Sequence, residues 1–377
     1  MLRAFAADVT LMSRWKLLVL LVAVAATIVV ATRTSPVAEA GPHRAATIRF
    51  GIYPGGDAGA VDGVARAPEV DEGQRLAMIR RLRAGRRSFV LHEYAAYHDA
   101  GSIEGARIHL ERVLADAAAT GSQAEIVLRY QPTARDPAVD LPGYERFVRA
   151  VVREFGGRSG LVGVQITNEA NVPGAPDAAD GDFPGVRDAL VRGVNAAAEE
   201  RAALGRRGLA IGFNVARDAR TPDFWPQLAR TGGSGFARNV DYVGLDIYPG
   251  TWPTQVKRPP SPRAVRTTVH GALRKLRRDM VRAGLGRRVA VHLSEAGYPT
   301  GPGRSEAVQA KVMKAVTDAA VQARTRYGVS DFRWFDLRDA DSSSTDFQHQ
   351  YGVLRDDLVP KPAFAVLQRA IRLHGGR

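Results

Sequence analysis

Two apolar stretches of the sequence each end in a glutamate. One runs from Val289 to Glu295, and the other runs from Leu161 to Glu169. Both stretches have the length and composition of short buried strands. A carboxylate at the mouth of an apolar strand is costly to bury unless its charge is used. We therefore predict that Glu169 and Glu295 form a pair of catalytic carboxylates.

Strand-like and helix-like stretches alternate along the rest of the chain. Eight strands are predicted, each followed by a helix, at 47–53, 88–94, 124–130, 161–169, 209–215, 240–248, 289–295 and 330–336. Eight such pairs are the count for a (β/α)8 TIM barrel, an α/β fold. A doubly wound sheet is the alternative, but it normally carries a Gly-rich phosphate loop after its first strand. Segment 51–56 contains a proline and does not open a helix, so we predict one barrel domain over residues 41–377.

The first 40 residues are predicted to form a separate segment. Three basic residues precede an unbroken apolar run, Leu17 to Ala31, and small residues lead up to Ala40. A run of this length fits the core of a signal peptide cleaved after Ala40. An uncleaved signal anchor that tethers the protein to the membrane is the alternative. Either interpretation predicts an extracellular barrel, secreted or anchored to the outer face of the cell membrane.

Composition limits the partners and cofactors of the protein. The net charge is +14, but the arginines are scattered along predicted helices without a dense basic block. We therefore predict no nucleic-acid partner. The chain contains no cysteine, which rules out disulfides and zinc–thiolate sites. No His-x-His pair ends the first strand, so we expect no catalytic metal. We also expect no other cofactor, and a monomer.

Strand alternation predicts which side chains face the barrel axis at the C-terminal ends of the strands, where barrel active sites lie. On the predicted sixth strand it directs Asp246 and Tyr248 inward. On the eighth it directs Phe332, Trp334 and Asp336 inward. The ends of other strands supply further polar groups, namely His92, Arg129 and Asn214.

Barrel geometry gives a rough test of the glutamate pair. Glu169 and Glu295 end the predicted fourth and seventh strands, three apart around the ring. Strand spacing and tilt place their carboxyl groups roughly 5 to 6 Å apart. Carboxyl groups about 5 to 5.5 Å apart are typical of retaining glycosidases, and wider spacings are typical of inverting ones. The geometry permits the retaining mechanism.

Short motifs around the two glutamates resemble those of clan A glycoside hydrolases. Thr167-Asn168-Glu169 is similar to the acid/base motif of that clan, and Ser294-Glu295 is similar to its nucleophile motif. Segment 294–301 looks like the nucleophile segment of β-1,3-glucanases, and segment 241–249 looks like a strand of endo-β-1,4-galactanases. The second strand departs from the clan pattern, because His92 and Glu93 stand where many members carry an arginine.

The resemblance implies a retaining glycoside hydrolase that cleaves a β-linked polysaccharide or oligosaccharide. Glu295 would be the nucleophile and Glu169 the acid/base. Asn168 would hydrogen-bond the sugar next to the scissile bond, Tyr248 would orient Glu295, and Trp334 would stack on a pyranose ring. The remaining substrate-binding candidates are His92, Arg129, Asn214 and Asp246.

Several alternatives stay open at the level of sequence. Trp334 fits a core position as well as a sugar platform, and His92 fits a satisfied core histidine as well as the wall of a site. A non-hydrolytic barrel that binds envelope or extracellular polysaccharide would use the same cleft. A metal-dependent hydrolase on the same barrel is a third possibility. The motifs do not specify the glycan or endo versus exo action.

Overall fold

The computed structural model describes residues 47–60, 63–217, 221–252 and 259–376. The predicted signal or anchor segment, residues 1–40, lies outside the described residues and stays a prediction. Within these four ranges, no helix combines the length and hydropathy needed to cross a bilayer.

Eight parallel strands close into a barrel in the order β1–β10–β9–β8–β7–β6–β5–β4. Their bounds are Arg49–Ile52 (β1), Val90–Tyr97 (β4), Gln123–Tyr130 (β5), Leu161–Ile166 (β6), Ala210–Ala216 (β7), Tyr242–Ile247 (β8), Ala290–Ala296 (β9) and Val329–Trp334 (β10). The predicted (β/α)8 fold is confirmed. The predicted fourth and seventh strands are β6 and β9, so both glutamates lie at the same end of the barrel. A small antiparallel hairpin of β2 (Ala58–Ala60) and β3 (Gly63–Ala65) follows β1.

Eight helices in the described part of the chain surround the barrel. They are Glu72–Leu82 (α1), Ser102–Thr120 (α2), Pro137–Phe155 (α3), Val186–Ala203 (α4), Phe224–Asn239 (α5), Pro262–Arg282 (α6), Glu306–Tyr327 (α7) and Pro362–His374 (α8). Local sequence explains several boundaries: Ser261 caps α6 by accepting from the Ala264 amide, with Pro262 in its first turn. An apolar stripe on α3, from Tyr144 to Phe155, is buried against the strands.

The lower interior of the barrel holds a buried ionic network. Arg333 on β10 donates from Nε to Glu125 Oε2 at 3.2 Å and from Nη2 to Asp331 Oδ1 at 2.7 Å. His92 Nδ1 lies 3.1 Å from Glu125 Oε2, and His292 Nε2 lies 3.2 Å from Asp331 Oδ2. Each of these five residues is at most 3% exposed. Buried charges of this kind are tolerated because each has a partner.

This network corrects the orientation predicted for β10. Asp331 and Arg333 face the axis, so strand alternation turns Phe332 and Trp334 outward toward the helices. The Phe332 ring packs 5.6 Å from that of Phe50 in the outer core layer. The prediction failed because it assigned the aromatic side chains to the site, whereas the charged pair can be buried only against Glu125 inside the barrel.

Replacing Arg333 should test the importance of the network for stability. Arg333→Met would leave Glu125 and Asp331 buried without their shared guanidinium, which costs about 3 to 5 kcal/mol in comparable cases. Urea denaturation should report this loss as a lower free energy of unfolding. Arg112→Met, at an exposed position on α2, is the control and should change stability by less than about 0.5 kcal/mol. Equal effects of the two substitutions would contradict the assignment.

Candidate active site

Glu169 and Glu295 meet at the C-terminal end of the barrel. One carboxylate oxygen from each lies within 4.8 Å of the other, and an oxygen of Asp246 lies within the same distance of both. Oxygens this near are compatible with the roughly 5 to 5.5 Å between the carboxyl groups of retaining glycosidases. They are also compatible with the separation expected from barrel geometry.

Two tyrosines hold the carboxylate of Glu295. The Tyr94 hydroxyl on β4 donates to Oε1 at 2.6 Å, and the Tyr248 hydroxyl just beyond β8 donates to Oε2 at 2.6 Å. Burial raises the pKa of both phenols, and the charge of Glu295 raises them further, so both stay protonated donors. Both oxygens of Glu295 therefore accept a hydrogen bond that stabilises negative charge.

Glu169 is held by an unusual backbone turn at the end of β6. Thr167 and Glu169 both have positive φ, 61° and 46°. Non-glycine residues rarely adopt this left-handed conformation unless the surroundings hold them there. Asn214 Oδ1 accepts from the Glu169 amide at 2.8 Å, and Asp180 Oδ2 accepts from the Asn168 amide at 2.8 Å. The turn fixes the backbone from which the Glu169 side chain enters the cleft.

A third carboxyl, Asp246, lies between the two glutamates and a set of buried donors. Ser294 Oγ donates to its Oδ1 at 2.6 Å, and Asn214 Nδ2 donates to its Oδ2. Asn214 is fully buried and also donates to Asn168 Oδ1 at 2.8 Å. Through these bonds Asn214 links the ends of three strands beneath the cleft.

The three carboxyls cannot all carry charge at this spacing. Burial raises the pKa of Glu169 to about 8, and the repulsion from Glu295 adds to that shift. Burial, Glu295 and Glu169 together raise the pKa of Asp246 well above its usual value. Glu169 is thus a protonated acid at neutral pH, beside a Glu295 whose oxygens both accept hydrogen bonds.

The carboxyls open into a cleft of about 450 Å³. Six aromatic side chains contribute to its lining: Tyr53, Tyr94, Tyr248, Trp252, Phe335 and Tyr351. Tyr53 and Phe335 stack at 5.3 Å with an angle of 6° between ring planes, and Tyr351 packs edge-on against Phe335. The Glu295 side of the cleft is an aromatic wall, and the Glu169 side includes Arg129.

The structure separates the predicted site residues into those that line the cleft and those that do not. Glu169, Glu295, Asn168, Tyr248, Asp246 and Arg129 line it. Their chemical roles stay predictions, although Tyr248 makes the contact with Glu295 expected of it. Arg129 is held through Nε by Asp180 at 3.1 Å, while its Nη2 is buried without a hydrogen-bond partner among the described residues.

Three predicted substrate-binding residues lie elsewhere. Trp334 is fully buried in the core, where its indole Nε1 donates to the Tyr351 carbonyl at 3.4 Å, so it offers no face to a sugar. His92 lies below the cleft against Glu125, and Asn214 lies beneath the carboxyls. Asp336, also expected to face inward, is buried outside the cleft lining. The error at Trp334 and Asp336 follows from the reversed orientation of β10.

Sequence reasoning missed several residues that the fold brings to the site. Phe335 lines the cleft because it faces the barrel axis, as Asp331 and Arg333 do at alternate positions before it. The inward-facing charged pair could therefore have predicted the position of Phe335. Tyr94 lies on β4 two residues after the inward-facing His92, so strand alternation could have placed it in the cleft. No local signal singles out Asp180, which ties the loop after β6 to the ends of β5 and β6.

The carboxyl cluster has the spacing to hold a cation, but four of its six oxygens already accept hydrogen bonds. Both oxygens of Glu295 accept from tyrosines, and both oxygens of Asp246 accept from Ser294 and Asn214. Hard divalent cations need free carboxylate oxygens as ligands. The donor arrangement therefore favours acid/base and nucleophilic chemistry at this site.

The described chain forms a (β/α)8 barrel with two facing carboxyls at its C-terminal mouth, and the solved structures that it matches include glycoside hydrolases. A family 39 glycoside hydrolase from Bacteroides cellulosilyticus WH2 matches with a TM-score of 0.57 and 14% identity, covering 87% of this chain and 64% of its own. The GH5_18 protein from Streptomyces cattleya in complex with GlcNAc matches with a TM-score of 0.57, 16% identity and coverages of 86% and 80%.

A third match is the β-glucosidase from Thermotoga maritima in complex with a substituted glucoimidazole. Its TM-score is 0.57 at 12% identity, with coverages of 81% and 86%. This chain spans only 64% of the length of the family 39 protein. No family model and no curated protein matches the sequence. At these identities the matches confirm the predicted resemblance to clan A glycoside hydrolases at the level of fold.

Glu169→Gln should stabilise the protein more at pH 8 than at pH 5. The ordinary pKa of a glutamate is 4.5, and folding raises that of Glu169 to about 8. Between these values the unfolded chain releases a proton that the folded protein retains, so folding loses stability as pH rises. Glutamine removes this penalty. Chemical denaturation at both pH values measures the gain, with the exposed Glu69→Gln as control. A gain that does not grow with pH would contradict the raised pKa.

Proposed function

We propose that the protein is a retaining glycoside hydrolase acting on a β-linked polysaccharide or oligosaccharide. One observation carries the proposal: two carboxyls within 4.8 Å of each other have opposite environments at the mouth of the barrel. Glu169 is kept protonated by burial and by its neighbour. Glu295 accepts two phenolic hydrogen bonds that stabilise its charge. An acid and a nucleophile at this spacing are the two groups that retention requires.

In the first step, an oxygen of Glu295 attacks the anomeric carbon and forms an ester bond to the sugar. The bond from that carbon to the glycosidic oxygen breaks, and Glu169 gives its proton to the departing oxygen. Tyr94 and Tyr248 hold the Glu295 carboxylate for this attack.

The second step reverses the role of Glu169. Once Glu295 is esterified its negative charge is gone, and the repulsion that raises the pKa of Glu169 disappears. Glu169, now ionised, takes a proton from water as the water oxygen attacks the anomeric carbon. The ester bond breaks, Glu295 leaves as a carboxylate and Glu169 is again protonated.

The walls of the cleft suggest where the two parts of the substrate bind. The sugar that is attacked must lie against Glu295, where Tyr53, Phe335 and Tyr351 supply apolar ring faces. Pyranose rings present apolar faces of C–H groups that pack on such aromatic side chains. The leaving group must lie beyond Glu169, on the side of Arg129 and Asn168. Trp252, 37% exposed at the edge of the cleft, replaces Trp334 as the candidate tryptophan platform.

Substituting each glutamate tests the assignment of the two roles. Glu295→Gln should abolish hydrolysis of every substrate in a panel of β-glucans, galactans, mannans and xylans, measured as reducing ends. Glu169→Gln should slow polysaccharide hydrolysis by about 10²- to 10⁴-fold. It should leave the first step largely intact on an aryl glycoside whose leaving group needs no proton, seen as a burst of released phenol.

Glu69→Gln, at an exposed position outside the cleft lining, is the matched control and should keep wild-type turnover. Full turnover by either cleft variant would overturn the roles proposed for Glu169 and Glu295. Glycan binding by the wild-type protein without release of reducing ends would instead favour the polysaccharide-binding barrel. NMR of the first product formed identifies its anomer, and an inverted anomer would rule out double displacement.

Removing one phenolic hydroxyl from Glu295 should impair catalysis without unfolding the protein. Tyr94→Phe and Tyr248→Phe each delete a hydrogen bond to a charged group, and kcat/KM should fall by about ten- to a hundredfold. Tyr351→Phe keeps a cleft aromatic and removes a hydroxyl not bonded to Glu295, so it should have little effect. Equal losses in all three variants would contradict the specific role of the two phenols.

A further inference from the structure

The outer face of the barrel carries a basic groove between α6 and α7, remote from the carboxyls. Its volume is about 460 Å³. The groove is lined by Arg263, Arg266, Thr267, His270, Gly271 and Arg274 from α6 and by Gln322, Arg326 and Tyr327 from α7. Four arginines and a histidine thus converge on one concave surface, and no acidic side chain contributes to the lining.

The spacing of the basic residues on α6 explains how they share a face. Arg263, Arg266, His270 and Arg274 follow at intervals of three, four and four, which places them along one side of a helix. Scattered in sequence, these arginines form no basic block. Helix periodicity and the packing of α7 beside α6 bring them together with Arg326.

The arginines of this groove lack the acidic partners that arginines have elsewhere on the barrel. On the side of α2, α3 and α4, two ion pairs join neighbouring helices: Arg107 with Glu154 at 2.8 Å and Arg153 with Glu200 at 2.6 Å. A third joins Arg158, just after α3, to Glu111 on α2 at 2.7 Å. By contrast, the guanidinium groups of the four groove arginines form no ion pair or hydrogen bond with any other described residue. The sole acidic residue of α6 is Asp279, which pairs with Lys275 at 2.6 Å.

The nearest groups on both helices reinforce the positive potential. On α7 the acidic residue one turn before Gln322 is Asp318, and Lys314 neutralises it at 2.7 Å. Arg277, beneath the groove, donates to the Tyr327 carbonyl at 2.6 Å. Burial lowers the pKa of Arg277 to about 10, and repulsion from Arg287 contributes. A site with this potential attracts anions.

From these observations we propose that the groove binds an acidic glycan, a polysaccharide whose repeating sugars carry carboxylates. Guanidinium groups bind carboxylates through paired N–H donors. The side chains of Thr267, His270 and Gln322 can form hydrogen bonds with sugar hydroxyls. The choice of a glycan rests on the proposed function, because a site outside the cleft would hold the enzyme on a polymeric substrate and raise its local concentration.

Shape and ring access argue against other polyanions. A concave groove does not offer arginines to a flat lipid surface. Single-stranded nucleic acids need open aromatic faces on which bases stack. Tyr327 is the one tyrosine that lines the groove, and the Arg326 guanidinium lies 5.4 Å from its ring centroid. This guanidinium covers one face of the ring, so that face cannot stack on a base.

Binding of polygalacturonate by the full chain tests the proposal. Its α-linkages keep it outside the proposed hydrolysis of β-linkages, so binding is measured without turnover by calorimetry. The triple variant Arg263→Gln/Arg274→Gln/Arg326→Gln should bind at least about tenfold more weakly. A control with the same loss of charge, Arg112→Gln/Arg192→Gln/Arg369→Gln, removes exposed arginines from other helices and should bind like the wild type.

Further arms separate the proposal from general charge attraction and from failure of the proposed hydrolysis. Equal loss of affinity in both triple variants would overturn the groove as a site. Tighter binding to duplex DNA or to phosphatidylserine vesicles than to polygalacturonate, again lost only in the groove variant, would overturn the glycan as its ligand. Turnover of a short neutral glycoside should be unchanged by the groove variant. A protein that binds polygalacturonate through the groove but cleaves no glycan would disprove only the hydrolase.

Discussion

The repulsion between two carboxyls held within 4.8 Å of each other is the constraint on which the site depends. A mostly buried site cannot hold both as anions, so one must keep a proton and the other must be supplied with donors. Tyr94 and Tyr248 supply the donors to Glu295, while the buried Glu169 keeps its proton. The same repulsion disappears when Glu295 is esterified. Burial and this repulsion together keep Glu169 protonated in the free enzyme, and loss of the repulsion favours its ionised form in the second step.

The barrel interior holds buried acidic side chains at two levels along its axis, and their surroundings differ. In the lower level, each acid has a cationic partner: Glu125 and Asp331 share the guanidinium of Arg333. Burial would raise the pKa of Glu125, but Arg333 and the two histidines outweigh it and hold that pKa well below its usual value. In the upper level, the acids of the cleft are held by tyrosine, serine and asparagine side chains, and one of them stays protonated. The lower level stabilises the fold on which the upper level is built.

The outside of the barrel shows the same contrast in surface charge. Arginines on α2, on α3 and just after α3 are neutralised by glutamates of neighbouring helices, and this side of the barrel gains local ion pairs. Arginines on α6 and α7 have no such partners in the described ranges and line a concave surface. The net charge of +14 is therefore not spread evenly over the molecule. Part of it gathers in the groove, where arginines without acidic partners favour a polyanionic ligand.

The sequence alone determined the barrel and the strand-end positions of Glu169 and Glu295, because apolar runs, helix periods and strand-ending residues are local patterns. It could not determine which alternate side chains of β10 face the axis, since both sets read as buried. That choice depended on Glu125, on another strand, which draws Arg333 inward and turns Trp334 outward. The phenol of Tyr94 and the groove on α6 and α7 likewise arise from contacts between segments distant in sequence. The sequence therefore predicted the glutamates at the strand ends. Only tertiary packing decided which side chains pair with one another across the barrel.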